Sequence, residues 1–120
     1  MLITSGADLL LSVDHTPTAT IVTVSGELDA TAAQDLEDHL DHVDTDRGVM
    51  VLDLTGVTFC DSVGLASLLD VNRRGIDLRV VGSRQVARTV TLAGMDSEVP
   101  LFGSVSDATG RRTRRLVPSP

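Results

Sequence analysis

The sequence predicts a single small α/β domain: a mixed β-sheet with parallel central strands, an N-terminal hairpin, and helices packed on it. Three observations carry this. Two strand-like runs, Leu9 to Val13 and Thr20 to Ser25, stand either side of a short Pro-containing turn, the pattern of an antiparallel hairpin. Beyond them, strand-like and helix-like periods alternate, as βαβ units do, which implies parallel pairing with right-handed crossovers. At 120 residues the chain has room for one modest core, and neither a repeat nor a second domain is visible.

Leu9 to Val13 reads as an edge strand, closed by Asp14-His15-Thr16-Pro17. Thr20 to Ser25 alternates and is β-branched, which suits a pleated surface. Gly26-Glu27-Leu28-Asp29 then turns into a helix in which Thr31 and Gln34 have capping-box spacing. Ala33, Leu36, Leu40 and Val43 form its apolar stripe, with Asp35, Asp38, Asp41 and His42 opposite. Val49-Met50-Val51-Leu52 is a continuous apolar run of the kind buried on both faces, ending at Asp53. A polar turn at Thr55-Gly56, then Val57 and Phe59, lead to Cys60-Asp61-Ser62-Val63. After Gly64, the spacing of Leu65, Leu68, Leu69 and Asn72 is helical, with Gly75 as C-cap. Asp77 to Val81 is a further strand. Ser83 opens a helix with Val86, Val90 and Ala93 on one face, and Gly94 ends it. Leu101-Phe102 is a last short strand, and Ser104 to Ala108 starts a helix that Gly110 truncates. The domain therefore spans residues 1–109, and residues 110–120, GRRTRRLVPSP, read as a disordered Arg- and Pro-containing tail.

Composition narrows the function classes. Hydrophobic residues make up 42% of the chain, too many for wholesale disorder, and with no Trp, no Tyr and two Phe the core must be aliphatic. No apolar run approaches the roughly 20 residues needed to span a bilayer. The N-terminus has neither a basic n-region nor a small-residue cleavage site, and a lone cysteine suits a reducing cytosol. Net charge is −7, which argues against a nucleic-acid face in the folded part; RRTRR reads as a solubilising tail. All ten basic residues are arginine, a composition that fits a high-G+C bacterial source.

The strand, tight connection and helix around Asp61-Ser62 place Ser62 at or next to a helix N-terminus, where free N–H groups and the helix dipole favour negative charge. Two roles stay open on spacing alone. Ser62 is the N-cap, so that Ser62→Ala would cost on the order of 1 kcal/mol, or it is a phosphate acceptor held by the same N–H groups. Other chemistries are poorly supported. His39 and His42 could share a metal but lack a third ligand cluster. Cys60, at the end of an apolar strand, reads as a small buried hydrophobe. No histidine follows Ser62, and neither G-x-S-x-G nor a P-loop is present, so no cofactor is expected.

The segment DLTGVTFCDSVGL resembles the signature of the anti-sigma factor antagonist family, the STAS domain, which runs approximately D-L-S-x-V-x-F, an apolar residue, then D-S-S/T-G-L. GELDATAAQDLEDHL resembles that family's G-E-L-D block, in the correct order along the chain, and the likeness covers roughly residues 9–108. It implies the small STAS α/β fold and a phosphorylation-controlled binding protein rather than an enzyme. The serine after the aspartate, Ser62 after Asp61, would be phosphorylated by a partner that is both anti-sigma factor and serine kinase. The unmodified form would bind that partner and free a sigma factor; a phosphatase would restore it. Val63 stands where the family usually has a second Ser or Thr, removing a second acceptor. The implied partner surface is Asp29, Asp61, Ser62, Val63, Gly64 and Leu65, with the exposed helix face reaching Arg73 and Arg74, in a cytoplasmic protein with no direct nucleic-acid or membrane role. The alternatives are a STAS subunit of another assembly, such as a lipid-transport ATPase complex or a stressosome-like scaffold, and, more remotely, a small serine hydrolase using Ser62.

Overall fold

The computed structural model describes residues 2–4, 9–40, 49–66 and 77–110, with backbone alone for residues 2–4. Their strands form one sheet in chain order: β1 (Leu2–Thr4), β2 (Leu9–His15), β3 (Ala19–Leu28), β4 (Val49–Cys60), β5 (Asp77–Gly82) and β6 (Leu101–Phe102). β1, β2 and β3 pair antiparallel, and β3 through β6 pair parallel, the mixed sheet and N-terminal hairpin expected from sequence. The helices are α1 (Ala30–Leu40), α2 (described over residues 62–66), α3 (Arg84–Leu92) and α4 (Val105–Thr109). The predicted positions Asp41, His42, Val43, Leu68, Leu69, Asn72, Arg73, Arg74, Gly75 and residues 111–120 lie outside the described residues.

Side-chain alternation sorts the sheet into two faces. One carries Leu9, Leu11, Val22, Val24, Met50, Leu52, Leu54, Leu78 and Val80, all buried. Against it pack Ala32, Ala33, Leu36 and Leu40 of α1, Leu65 of α2, and Val86 and Val90 of α3. The opposite face holds a smaller cluster of Val51, Val81 and Phe102 covered by Ala108 of α4, with Ile21, Val49 and Val105 beside it. β4 is thus buried on both faces, as its unbroken apolar start predicts.

Four local expectations are corrected. Leu9 to Val13 is not the edge: β1 pairs outside it, Ile3 opposite Leu11, in a strand too short for alternation to reveal. Thr55-Gly56 is not a turn out of the strand, and Gly26 to Leu28 is not a turn into the helix. β3 and β4 stay paired to Leu28 and Cys60, with register shifts between Thr23 and Ser25 and between Gly26 and Glu27. Each shift inserts an extra residue in β4, so Val57 and Cys60 point inward while Phe59, in register with Glu27, is 48% exposed. The cap of α1 is Asp29 rather than Thr31: its Oδ1 accepts from the Ala32 N–H at 2.9 Å, and Gln34 bonds Asp38 instead. Ala93 is the exposed C-cap of α3, where Gly94 at φ +70 ends the helix as expected.

Candidate functional site

Two equivalent strand ends build the site. Leu28 and Cys60 are partners in the parallel pairing of β3 and β4, so the residues that follow them, Asp29 and Asp61, leave the same edge of the sheet on adjacent strands, about 4.8 Å apart in the hydrogen-bonding direction. Each aspartate starts a helix. Asp29 caps α1, and Asp61 caps α2: its Oδ1 accepts from the Gly64 N–H at 2.7 Å, and its carbonyl from the Leu65 N–H at 3.1 Å. A carboxylate in this position satisfies an orphan N–H and complements the helix dipole.

Ser62 is therefore not the N-cap. It is the first helical residue, exposed, and Asp61 performs the capping task that was one of the two roles open for Ser62. Ser62→Ala is expected to shift stability by no more than about 0.5 kcal/mol, as exposed substitutions away from caps do, rather than by a cap's worth. Comparing urea midpoints of the two proteins checks this.

The loop is held from three sides. The Asp61 N–H donates to the Leu28 carbonyl at 3.4 Å. Gly64 lies so close beneath β3 that an added Cβ would stand 2.3 Å from that same carbonyl oxygen. Thr89 of α3 donates its hydroxyl to the Cys60 carbonyl at 2.7 Å, tying the third helix to the residue before Asp61. Nothing in the sequence points to Thr89, because the contact joins elements 29 residues apart.

Of the residues that the sequence assigns to the partner surface, Leu65 is fully buried and Gly64 is buried, which gives both a structural task. Asp29, Ser62 and Val63 are exposed, Val63 at 57%, and Asp61 partly so. The bulge adds Phe59, whose outward orientation only the register could reveal. Thr55 and Thr58, the other hydroxyls nearby in sequence, are engaged: Thr55 Oγ1 donates to Asp53 at 2.7 Å and Thr58 Oγ1 to the Gly26 carbonyl at 3.3 Å.

Cys60 is buried, and burial, with a smaller contribution from the Asp61 charge, pushes its thiol up from 9.0 to about 12. The raised folded value means that its contribution to stability is intact below about pH 9 and is lost as pH rises toward 12, by at most about 1.4 kcal/mol per pH unit. With no Lys or Tyr in the chain, few other groups titrate there. We expect negligible alkylation of the folded protein at pH 8, and a lower urea midpoint at pH 10 than at pH 8. Among the described residues, no three His, Cys, Asp or Glu side chains cluster to hold a metal, and no helix is long and apolar enough to cross a membrane.

The family model of the STAS domain matches residues 11–108, and the chain belongs to the STAS domain family. It is similar to an anti-sigma factor antagonist from Mycobacterium paratuberculosis at 28% identity, with 88% of this chain and 95% of that one covered and a TM-score of 0.73. An antisigma-factor antagonist STAS domain from Rhodobacter sphaeroides aligns at 21% identity over 65% of this chain and 90% of that one, with a TM-score of 0.52. The Bacillus cell fate determinant SpoIIAA in its phosphorylated form aligns at 16% identity over 82% and 95%, with a TM-score of 0.53, and likewise shows the fold. No curated protein matches the chain in sequence.

Proposed function

We propose that this chain is an anti-sigma factor antagonist that binds an anti-sigma factor with serine kinase activity while unmodified, and is switched off by phosphorylation of Ser62. The observation that carries this is the division of labour at α2: Asp61 caps the helix, so the Ser62 hydroxyl is exposed and has no structural task. The similarity to the Mycobacterium paratuberculosis antagonist supports the partner class.

The electrostatics suit a switch. A phosphate adds about −1.5 to −2 charge at neutral pH beside Asp61 and across from Asp29. Asp61 already takes the Gly64 N–H, which leaves the Ser62 and Val63 N–H groups to help hold the phosphate. That supports a local change of charge and bulk rather than a refolding of the domain. A hydrolase reading has little geometric support. His15, the last residue of β2, pairs with Thr20 near the start of β3, at the far end of the strands from Ser62, and His39 lies nearly three turns along α1 from Asp29. The protein acts in the bacterial cytoplasm, with a phosphatase reversing the modification, and without a cofactor or direct nucleic-acid contact.

Incubation with the cognate kinase and ATP, followed by peptide mass spectrometry, tests the reading. One phosphate is expected, on Ser62, and none on Ser62→Ala. A phosphate on Thr55 or Thr58 with Ser62 clean would overturn it.

A further inference from the structure

The turn at Asp61 and Ser62 leaves the sheet beyond the reach of β5. Pairing of β4 with β5 stops at Leu54 opposite Gly82, while β4 runs on to Cys60 with β3 still beside it. From Thr55 to Cys60 one edge of β4 therefore has no strand to complete its ladder, and the backbone groups there need other partners. α3 takes that side. The chain leaves β5 at Gly82, and Ser83 caps the helix by accepting from the Val86 N–H at 3.2 Å. α3 then packs against β4, with Val86 and Val90 buried.

The peptide that joins Cys60 to Asp61 is gripped from both sides. A trans peptide points its N–H and its C=O in opposite directions. Here the Asp61 N–H faces β3 and donates to the Leu28 carbonyl at 3.4 Å. The Cys60 carbonyl therefore faces away from β3, where it accepts the Thr89 hydroxyl at 2.7 Å. The two holds are unequal. The β3 bond is longer than the usual limit of about 3.2 Å for an N–H donor, whereas the Thr89 bond is at the short optimum for a hydroxyl. Thr89 also has a rival acceptor one turn back, the Gln85 carbonyl at 3.0 Å, and a hydroxyl has a single proton to give. A threonine inside a helix commonly bonds its own helix in this way. In this helix the nearer acceptor belongs to β4.

We propose that Thr89 is a positioning residue for phosphate transfer to Ser62, an inference that rests on the proposed modification of that serine. Its hydroxyl, carried on α3, fixes the Cys60 carbonyl and with it the peptide plane from which Asp61 and Ser62 follow. Asp61 passes the constraint on by capping α2 at the Gly64 N–H. In the transfer, the Ser62 oxygen bonds the γ-phosphorus of kinase-bound ATP as the bond to the departing ADP breaks, and the serine proton passes to a base on the kinase. In-line attack requires that oxygen to approach from one direction, and a misplacement of about 1 Å costs on the order of 100-fold in rate. A turn that is loosened rather than displaced still samples the productive direction, so a loss of roughly tenfold is expected when the hydroxyl is removed.

Thr89→Val removes the hydroxyl and keeps the shape, and Thr89→Ser keeps the hydroxyl. Unchanged amide shifts at Leu11 and Val22 show that each full-length variant is folded. With the partner kinase in excess, single-turnover phosphorylation of Ser62 should slow about tenfold in Thr89→Val, while the kinase concentration at half-saturation stays within about twofold. Thr89→Ser should recover the natural rate to within about threefold. In the natural chain, the backbone of Asp61 to Gly64 should have order parameters of about 0.85, the rigid value, and Thr89→Val should lower them. Equal rates in the natural chain and Thr89→Val would overturn the proposal and leave the reading of Ser62 standing. So would a Thr89→Ser protein as slow as Thr89→Val, which would give Thr89 a packing task alone. Order parameters below about 0.6 in the natural chain, a measurement that needs no variant, would overturn it too. A natural chain without phosphate on Ser62 would overturn the reading of that serine and this proposal with it.

Discussion

Gly64→Ala is expected to destabilise the domain by roughly 3 kcal/mol, the upper end of the usual cost of overpacking. The obstacle sets this magnitude. The new Cβ would meet the Leu28 carbonyl oxygen at 2.3 Å, and a backbone atom in a paired strand cannot swing aside as a flexible side chain can. Relief requires α2 to lift from the end of β3, which lengthens the 2.7 Å bond from Gly64 to Asp61 and the 3.4 Å bond from Asp61 to Leu28. Ser62 moves with them, so phosphorylation should fall along with stability. Denaturant unfolding gives the first quantity and single-turnover phosphorylation the second; a stable Gly64→Ala protein phosphorylated at the natural rate would contradict this geometry.

Asp61→Ala is expected to cost about 2 kcal/mol, because it removes an N-cap and leaves the buried Gly64 N–H without an acceptor. Asp61→Asn keeps an acceptor oxygen in place and should recover most of that stability, losing mainly the dipole contribution of about 0.3–1 kcal/mol. The pair separates the hydrogen bond from the charge. Equal losses in the two variants would show that charge rather than capping holds the turn.

The fold was legible because its signals are local. Hairpin, alternating periods and the doubly buried run at Val49 to Leu52 each report on a few adjacent residues, and the observed sheet follows from them. What escaped depends on contacts between distant segments. Phe59 faces outward because β4 gains residues against β3, and alternation read from one strand cannot register a bulge. Capping meets the same limit at both helices: the sequence reads Thr31 in a capping box and leaves Ser62 open between cap and phosphate acceptor. Asp29-x-x-Ala32 and Asp61-x-x-Gly64 each have cap spacing, but the neighbouring Thr31 and Ser62 are equally good cap types, and only the strand ends decide which residue stands at the turn. Thr89 reaches the site through tertiary packing alone.

The switch itself is tested most directly by the affinity of one partner for two forms of the same protein, unmodified and carrying phosphate on Ser62. Calorimetric titration with the anti-sigma factor is the measurement. Introducing like charge and bulk at the centre of a contact surface costs several kcal/mol, so phosphorylation should weaken binding by at least about 100-fold, equivalent to about 2.7 kcal/mol. Amide shifts of the phosphorylated form should change near Cys60 to Ala66 and Asp29 and stay put in β3 from Thr20 to Ser25. Unchanged affinity, or tighter binding of the phosphorylated form, would contradict the assignment of Ser62 as the switch.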